Sequence, residues 1–377
     1  MGEFVFLDWN ATTPIAQQSL AAMMGAASAA GANPSSIHRA GRLARRIVED
    51  LREELARVLE ASPRDVVLTG SGTEANNIAL RSAFVDAPGV LVTSRLEHPS
   101  VTRVAEALEL EGRARVHWAH VTTDGLIDLD DVHAHLRAGG VRLVALQAVN
   151  QETGVVQPLK EIHAECMERE VPLHVDAVQA LGRTALPHLG TTRAIAAHKF
   201  RGPKGIGALV GSCGHRLHPV LLGGAQEKGL RPGTLDPMAA AGFHAALTHL
   251  AECREGFDAQ RPRRDRLETA ILRAFPGSFV NGDPARRLAH ITNVAVRGVD
   301  GAELVVALDV EGVGVSSGSA CSAGTLEPSP VITAMHGVER AKKSVRVSLG
   351  PSTTDDDVTR AIAAFECVAA RVAGRRS

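Results

Sequence analysis

"RAIAAHKFRGPKGIGALVG", residues 193–211, decides the fold. Two short apolar runs, "RAIAAH" (193–198) and "GIGALVG" (205–211), flank a lysine and a glycine-rich turn. Runs this short, closed off by glycine, read as buried strands, because a helix needs a longer periodic stretch. The same texture recurs upstream in "PLHVDAV" (172–178), "RLVALQAVN" (142–150), "GVLVTS" (89–94) and "DVVLTG" (65–70). Amphipathic stretches such as "SVTRVAEALELEG" (100–112) and "PLKEIHAECMERE" (158–170) lie between them. Strands alternating with helices predict a mainly parallel central sheet covered by helices.

Further upstream, Leu43, Ile47, Leu51, Leu55 and Leu59 recur every four residues and predict one apolar helix face against that sheet. Beyond about residue 255 the texture changes to an Arg-rich helix (261–274), then "ITNVAVRGV" (291–299), "GVGVSSG" (312–318) and "SVRVSLG" (344–350). At 377 residues the chain exceeds a single core. The expected division is a large domain over 13–255 and a smaller α+β domain built from 1–12 and 256–377. There is no internal repeat or low-complexity tract.

Composition excludes several function classes. The net charge of −1 gives no field to attract nucleic acid or anionic lipid, and aromatics at 3% with no tyrosine leave little to stack on bases. Neither nucleic acid nor membrane is an expected partner. The five cysteines (166, 213, 253, 321, 367) are odd in number and widely spaced, without a CxxC pair. That suits reduced thiols rather than disulfides or a zinc site, and no metal ligand set is read. "MGEFVFLDWN" has no basic start or long apolar run, so a cytoplasmic, unsecreted protein is expected.

Ligands of open α/β sheets sit at the carboxyl ends of strands. After "DVVLTG" comes "SGTEANNIAL" (71–80), small and hydroxylic residues opening a helix whose free N–H groups suit a phosphate, although Ser and Thr are also common caps. The run "PLHVDAVQA" carries Asp176, a carboxylate that needs a positive partner, either a structural Arg or a protonated ring nitrogen, with Gln179 three residues on. Lys199 stands at the end of "RAIAAH" before the glycine turn, placed to form a Schiff base with an aldehyde. A phosphate cradle, an acid for a pyridinium and a Schiff-base lysine, in that order, are the parts of a pyridoxal 5′-phosphate site.

With these parts in place the chain resembles the cysteine desulfurase family, in the class V aminotransferase branch of fold-type I pyridoxal-phosphate enzymes. The resemblance runs through "FLDWNATTP" (6–14), "NPSSIHRAG" (33–41), "TGSGTEANN" (69–77), "EHPSV" (97–101), "NQETGVVQP" (150–158), "HVDAVQALG" (174–182), "AHKFRGPKGIGAL" (197–209), "GGAQEKGLRPGT" (223–234), "SSGSACSAGTLEPS" (316–329) and "SVRVSLG" (344–350). It implies a fold-type I transferase in which Lys199 carries the cofactor and moves the Cα proton. Asp176 would pair with the pyridine nitrogen, Gln179 with the ring oxygen, and His98 would stack on the ring and serve in acid–base steps. Gly72, Thr73, Glu74 and His198 fall on the cofactor's phosphate side, with Thr234 supplied by a second subunit, so a homodimer sharing its active sites is implied. Asn150, also placed beside the cofactor, and Arg346 would bind the substrate carboxylate, with Asn33 close by.

The resemblance makes Cys321 the nucleophile, carried on the small-residue loop about 316–329, that takes sulfur from L-cysteine as a persulfide and leaves L-alanine. A core role is poorly supported among Gly, Ala and Ser. The other cysteines read as packing residues. One departure stands out: Ala196 occupies a position where similar enzymes carry Ser or Thr, which removes a phosphate hydrogen bond. The sulfur acceptor is unidentified; iron–sulfur cluster assembly and other sulfur relays use similar enzymes, and the short stretch after the last expected helix gives little tail for a scaffold to dock on. The rival readings are a selenocysteine lyase or other C–S lyase of this fold, and a non-catalytic scaffold.

Overall fold

A computed structural model describes residues 4–185, 189–212, 216–318 and 327–374. In chain order the first elements are β1 (Val5–Phe6), α1 (Gln17–Ala29), α2 (Arg39–Val58), β2 (Val66–Thr69), α3 (Gly72–Ala83), β3 (Gly89–Ser94), α4 (Pro99–Leu110) and β4 (Ala114–Ala119). There follow α5 (Leu129–Ala138), β5 (Val141–Gln147), α6 (Leu159–Glu168), β6 (Leu173–Asp176), β7 (Thr192–Ala196), β8 (Gly207–Gly211), α7 (Pro237–Thr248), α8 (Leu250–Asp258) and α9 (Arg261–Ala274). The chain closes with β9 (Phe279–Val280), β10 (Ile291–Ala295), α10 (Gly301–Val310), β11 (Val313–Gly314), α11 (Pro330–His336), α12 (Val338–Ala341), β12 (Ser344–Ser348) and α13 (Asp355–Gly374).

Seven strands form the central sheet in the order β2-β8-β7-β6-β5-β3-β4. All of its pairings are parallel except the two made by β8, which runs against both β2 and β7. Both faces are covered, as a parallel sheet requires. Val90 and Val92 pack on one side with Leu51 and Leu55 of α2, while Leu91 packs on the other with Ile78, Val104 and Leu108 of α3 and α4. A separate cluster joins Val5 and Leu7 to Leu267, Leu304, Val345 and Phe365. It fills the space between the antiparallel sheet β12-β10-β9, the β1-β11 pair and helices α9, α10 and α13. Among the described residues no helix is long and apolar enough to cross a membrane.

One expectation needs correcting, and one strand lies outside the runs read from the sequence. Leu43 is 46% exposed, and the buried face of α2 runs through Ala44, Val48, Leu51 and Leu55. A step of four residues overshoots one helical turn by about 40°, so a strict four-residue repeat drifts off the core face within three steps. The edge strand β4 was not anticipated: "ARVHWA" carries Arg and His because it is only half covered.

Candidate active site

The carboxyl ends of β2, β3, β6 and β7 converge on a cleft of about 800 Å³, lined by Asn10, Ser71, Gly72, Thr73, His98, Asp176, Gln179, Ala196, His198, Lys199 and Arg346. At one end the N-terminus of α3 enters. Ser71 is its N-cap, its Oγ accepting from Glu74 N at 3.2 Å, and the amides of Gly72 and Thr73 are left for an anion. Glycine is required at 72 because a Cβ there would meet Val178 Cγ2 at 2.5 Å. The same virtual Cβ would lie 3.6 Å from the Cβ of Ala196, so the unusual alanine stands on the cradle wall.

Asp176 closes β6 beneath the middle of the cleft. Its Oδ2 accepts from Asn76 Nδ2 at 2.8 Å and its Oδ1 from Val178 N at 3.0 Å. Asn76 also donates to Ser100 Oγ at 2.8 Å, and its Oδ1 lies 2.9 Å from His174 Nε2, whose Nδ1 lies 2.9 Å from Thr192 Oγ1. Burial pushes the His174 imidazole down to about 3, so it is neutral and relays one hydrogen bond on each side. His98 caps α4 ahead of Pro99, its Nδ1 accepting from Ser100 N at 3.1 Å and facing Ser100 Oγ at 2.8 Å. An Nδ1 that accepts leaves the proton on Nε2 in the neutral ring. Burial holds His98 below its ordinary range, with Asp176 pulling it up and Lys199 pushing it down.

Lys199 ends a single turn, Ala197–Lys199, that follows β7. Its Nζ donates to the carbonyls of Asn10 (2.7 Å) and Ala11 (2.8 Å). Behind it lies Arg183, which sequence reasoning missed. This buried guanidinium donates to the carbonyls of Lys199 and Trp9, both at 3.0 Å, and to Gln179 Oε1 at 2.5 Å, and it also binds Asn10 Oδ1. Burial lowers its affinity for a proton to about 9. Gln179 therefore reaches the cleft with its amide held by Arg183 and by Asn10 O at 3.0 Å. His198, with Nδ1 3.0 Å from Thr12 Oγ1, is pushed down to about 4 by burial and the nearby cations. It meets an anion as a neutral imidazole.

Arg346, on β12, forms the other end. It donates to Asp8 Oδ1 at 2.6 Å and to Gln151 O at 3.1 Å, while its buried Nε makes no hydrogen bond among the described residues. Its backbone pairs with Ser316, N to O at 2.7 Å and 3.1 Å. Ser329, on the far side of the segment 319–326, donates from Oγ to Glu152 Oε2 at 2.5 Å. Both ends of that segment are thus tied beside Arg346 and the buried Glu152, another residue the sequence reading left unassigned. Cys321 lies outside the described residues, as does Cys213. Cys166 and Cys253 are buried, their thiols raised by burial to about 12 and about 11, while Cys367 is half-buried.

Four expected site residues do not line the cleft. Asn150 is wholly buried, its Nδ2 donating to Leu96 O, which follows β3, and its Oδ1 accepting from Glu152 N, Thr153 N and Thr153 Oγ1 of its own turn. Its neighbour Gln151 lines the cleft instead. Glu74 turns away, accepting from Gly70 N at 2.5 Å and Arg231 Nε at 3.4 Å, so it fastens the cradle rather than entering it. Asn33 is exposed and accepts from Ser35 N at 2.8 Å, closing a local turn. Thr234 is exposed on this chain.

The sequence model of the aminotransferase class-V family matches residues 5–361. Over 371 residues, 95% of this chain and 91% of the relative, the chain is 37% identical to a cysteine desulfurase of Nostoc sp.. Among solved structures, a NifS-like protein superposes with a TM-score of 0.89 at 26% identity, over 98% of this chain and 100% of that one. SspA in complex with cysteine superposes with a TM-score of 0.78 at 29% identity, over 93% and 99%. With a family match over residues 5–361 and a relative 37% identical over 95% of this chain, the chain belongs to the cysteine desulfurases of the class-V aminotransferase family.

Proposed function

We propose that this protein is a pyridoxal-phosphate-dependent cysteine desulfurase that converts L-cysteine to L-alanine and keeps the sulfur as a persulfide on Cys321. The observation that carries the reading is the meeting of Lys199, Asp176, His98, Arg346 and the α3 N-terminus in one cleft. These residues fit the cofactor. The Gly72 cradle, too tight for any Cβ, suits a phosphate, and Asp176, whose ion-pair partner is missing among the described residues, suits a ring cation.

When bound, the cofactor supplies an aldehyde for amines and a protonated ring that takes up the electron pair left at the substrate's Cα. Lys199 would hold it through Nζ and would carry the proton at the substrate's Cα, and either role requires Nζ to leave the carbonyls of Asn10 and Ala11. Asp176 is held in place by Asn76 and the Val178 amide. His98, with its proton on Nε2, is a neutral donor over the cleft. Arg346 offers Nε to the substrate carboxylate. Cys321, as thiolate, attacks the substrate sulfur: the S–S bond forms as the Cβ–S bond breaks, and Cβ gains a proton as alanine.

The reading extends to a homodimer in which Thr234 completes the partner's phosphate site. The exposed apolar side chains of Ile37 and Leu222 support such an interface. It also extends to a cytoplasmic location, to a large domain over 13–255 with a small one from 1–12 and 256–377, and to a sulfur acceptor in iron–sulfur cluster assembly or another relay. Borohydride reduction of the yellow protein followed by peptide mapping tests the cofactor site: the reading requires the reduced adduct on Lys199 and alanine release that Lys199→Ala abolishes. An adduct elsewhere contradicts it.

A further inference from the structure

A second cluster of ligating side chains lies outside the cleft, between the edge strand β4 and helix α5. His117 stands on β4, His120 just after it, and Asp131 and His135 on successive turns of α5. None of the four lines the cleft. His117 Nε2 lies 3.0 Å from Asp131 Oδ2, and His135 Nδ1 lies 3.0 Å from the Asp131 carbonyl and 3.3 Å from its Oδ1. The two imidazoles stack with centroids 3.3 Å apart and planes 16° apart, so one ring must turn for both to direct a nitrogen at a common ion. His120 Nδ1 stands 3.4 Å from Asp131 Oδ2 on an exposed side chain.

We propose that His117, Asp131 and His135 form a binding site for a divalent transition metal of the zinc class, with His120 as the nearest further ligand. Three observations carry this. One ligand atom from each of His117, Asp131 and His135 lies within 4.8 Å of the others. Zinc bonds of about 2.0–2.1 Å in a tetrahedron place neighbouring ligand atoms about 3.3 Å apart, close to the 3.0 and 3.3 Å at which the two imidazoles already stand from the two oxygens of Asp131. Asp131 is also held from outside: its Oδ2 accepts from His120 N at 2.8 Å, and its helix is capped by Asp128. A ligating carboxylate anchored in this way needs little reorganisation.

The ion-pair partners of Asp131 among the described residues are all imidazoles, with neither Lys nor Arg. Imidazole nitrogens with a single carboxylate select zinc-class ions over magnesium or calcium, which require oxygen ligands. A bound ion would clip the edge strand of the large sheet to the helix that covers it. The signal in the sequence is spread over "HWAH" (117–120) and "DVHAH" (131–135), and it becomes visible only when β4 and α5 pack together.

The experiment uses the full-length, cofactor-loaded chain carrying Cys321→Ala, so that the loop thiol does not compete, after dialysis against chelator. Titration with zinc chloride, followed by calorimetry and by thermal melting, should give one ion per chain and a rise in Tm that chelator reverses. His117→Ala and His135→Ala should each weaken binding at least tenfold and remove the rise, and His120→Ala should weaken it less. His135 stands on a partly exposed helix turn, so its variant keeps the test valid if His117→Ala fails to fold. No saturable site at one ion per chain, or binding indifferent to His117→Ala and His135→Ala, overturns the proposal.

Discussion

The floor of the cleft and the neck of the segment 319–326 are built from similar buried polar groups, yet only the floor is complete. On the floor, Thr192, His174, Asn76, Asp176, Ser100 and His98 form a chain in which each side chain has a partner. At the neck, Arg346 Nε and Glu152 Oε1 are buried without a hydrogen bond among the described residues. Buried polar atoms are costly when unpaired. The difference sets a floor whose side chains satisfy one another beside a neck that, among the described residues, keeps one guanidinium nitrogen and one carboxylate oxygen unpaired.

The sharpest way to break this comparison is Arg346→Lys. Lysine keeps the charge but not the fork, so KM for L-cysteine should rise by about one to two orders of magnitude while the cofactor stays bound. An unchanged KM in steady-state kinetics would remove Arg346 from the substrate site. Glu152 comes next. Burial raises its carboxyl above the ordinary range, against the pull of Ser329 and Arg346. Glu152→Ala frees Ser329 and should lower kcat about tenfold with little change in KM, whereas Glu152→Gln keeps an acceptor for Ser329 Oγ and should recover most of the loss.

A smaller effect is expected at the cradle. Ala196→Thr returns a hydroxyl to its wall, so the dissociation constant for pyridoxal phosphate, measured on stripped protein, should fall about fivefold, the worth of one hydrogen bond of about 1 kcal/mol. The smallest concerns the response of the buried histidines around the cleft to acid. His174 and His198 titrate in the folded protein near about 3 and about 4, both below the ordinary 6.5. The unfolded chain therefore takes up these protons first, and the stability they confer, complete above about pH 6.5, is lost as pH falls through about 4 and then about 3. Tm measured against pH should decline over that window, and less steeply in His174→Gln.

Much of this was legible in the sequence where short-range pattern decides structure. The stretches at 89–94 and 261–274 coincide with β3 and α9, and Lys199, Asp176, His98 and Arg346 all reach the cleft. Legibility failed where partners are distant in sequence. Arg183 binds Trp9, Asn10 and Lys199, and Asn76 joins Asp176 to His174, contacts that no local spacing announces. Asn150, expected beside the ligand, has its amide tied to Leu96 as well as to its own turn, contacts its motif does not announce. Leu43 was assigned to a buried face because a four-residue repeat imitates helical periodicity only over short spans.

The central claim, sulfur transfer to Cys321, is tested most directly by incubating the purified protein with L-cysteine, alkylating without reductant, and weighing the peptide that contains Cys321. The account predicts the added mass of one sulfur atom on Cys321, with L-alanine released. An unmodified Cys321 in protein that holds its cofactor and consumes cysteine would contradict it and favour a C–S lyase.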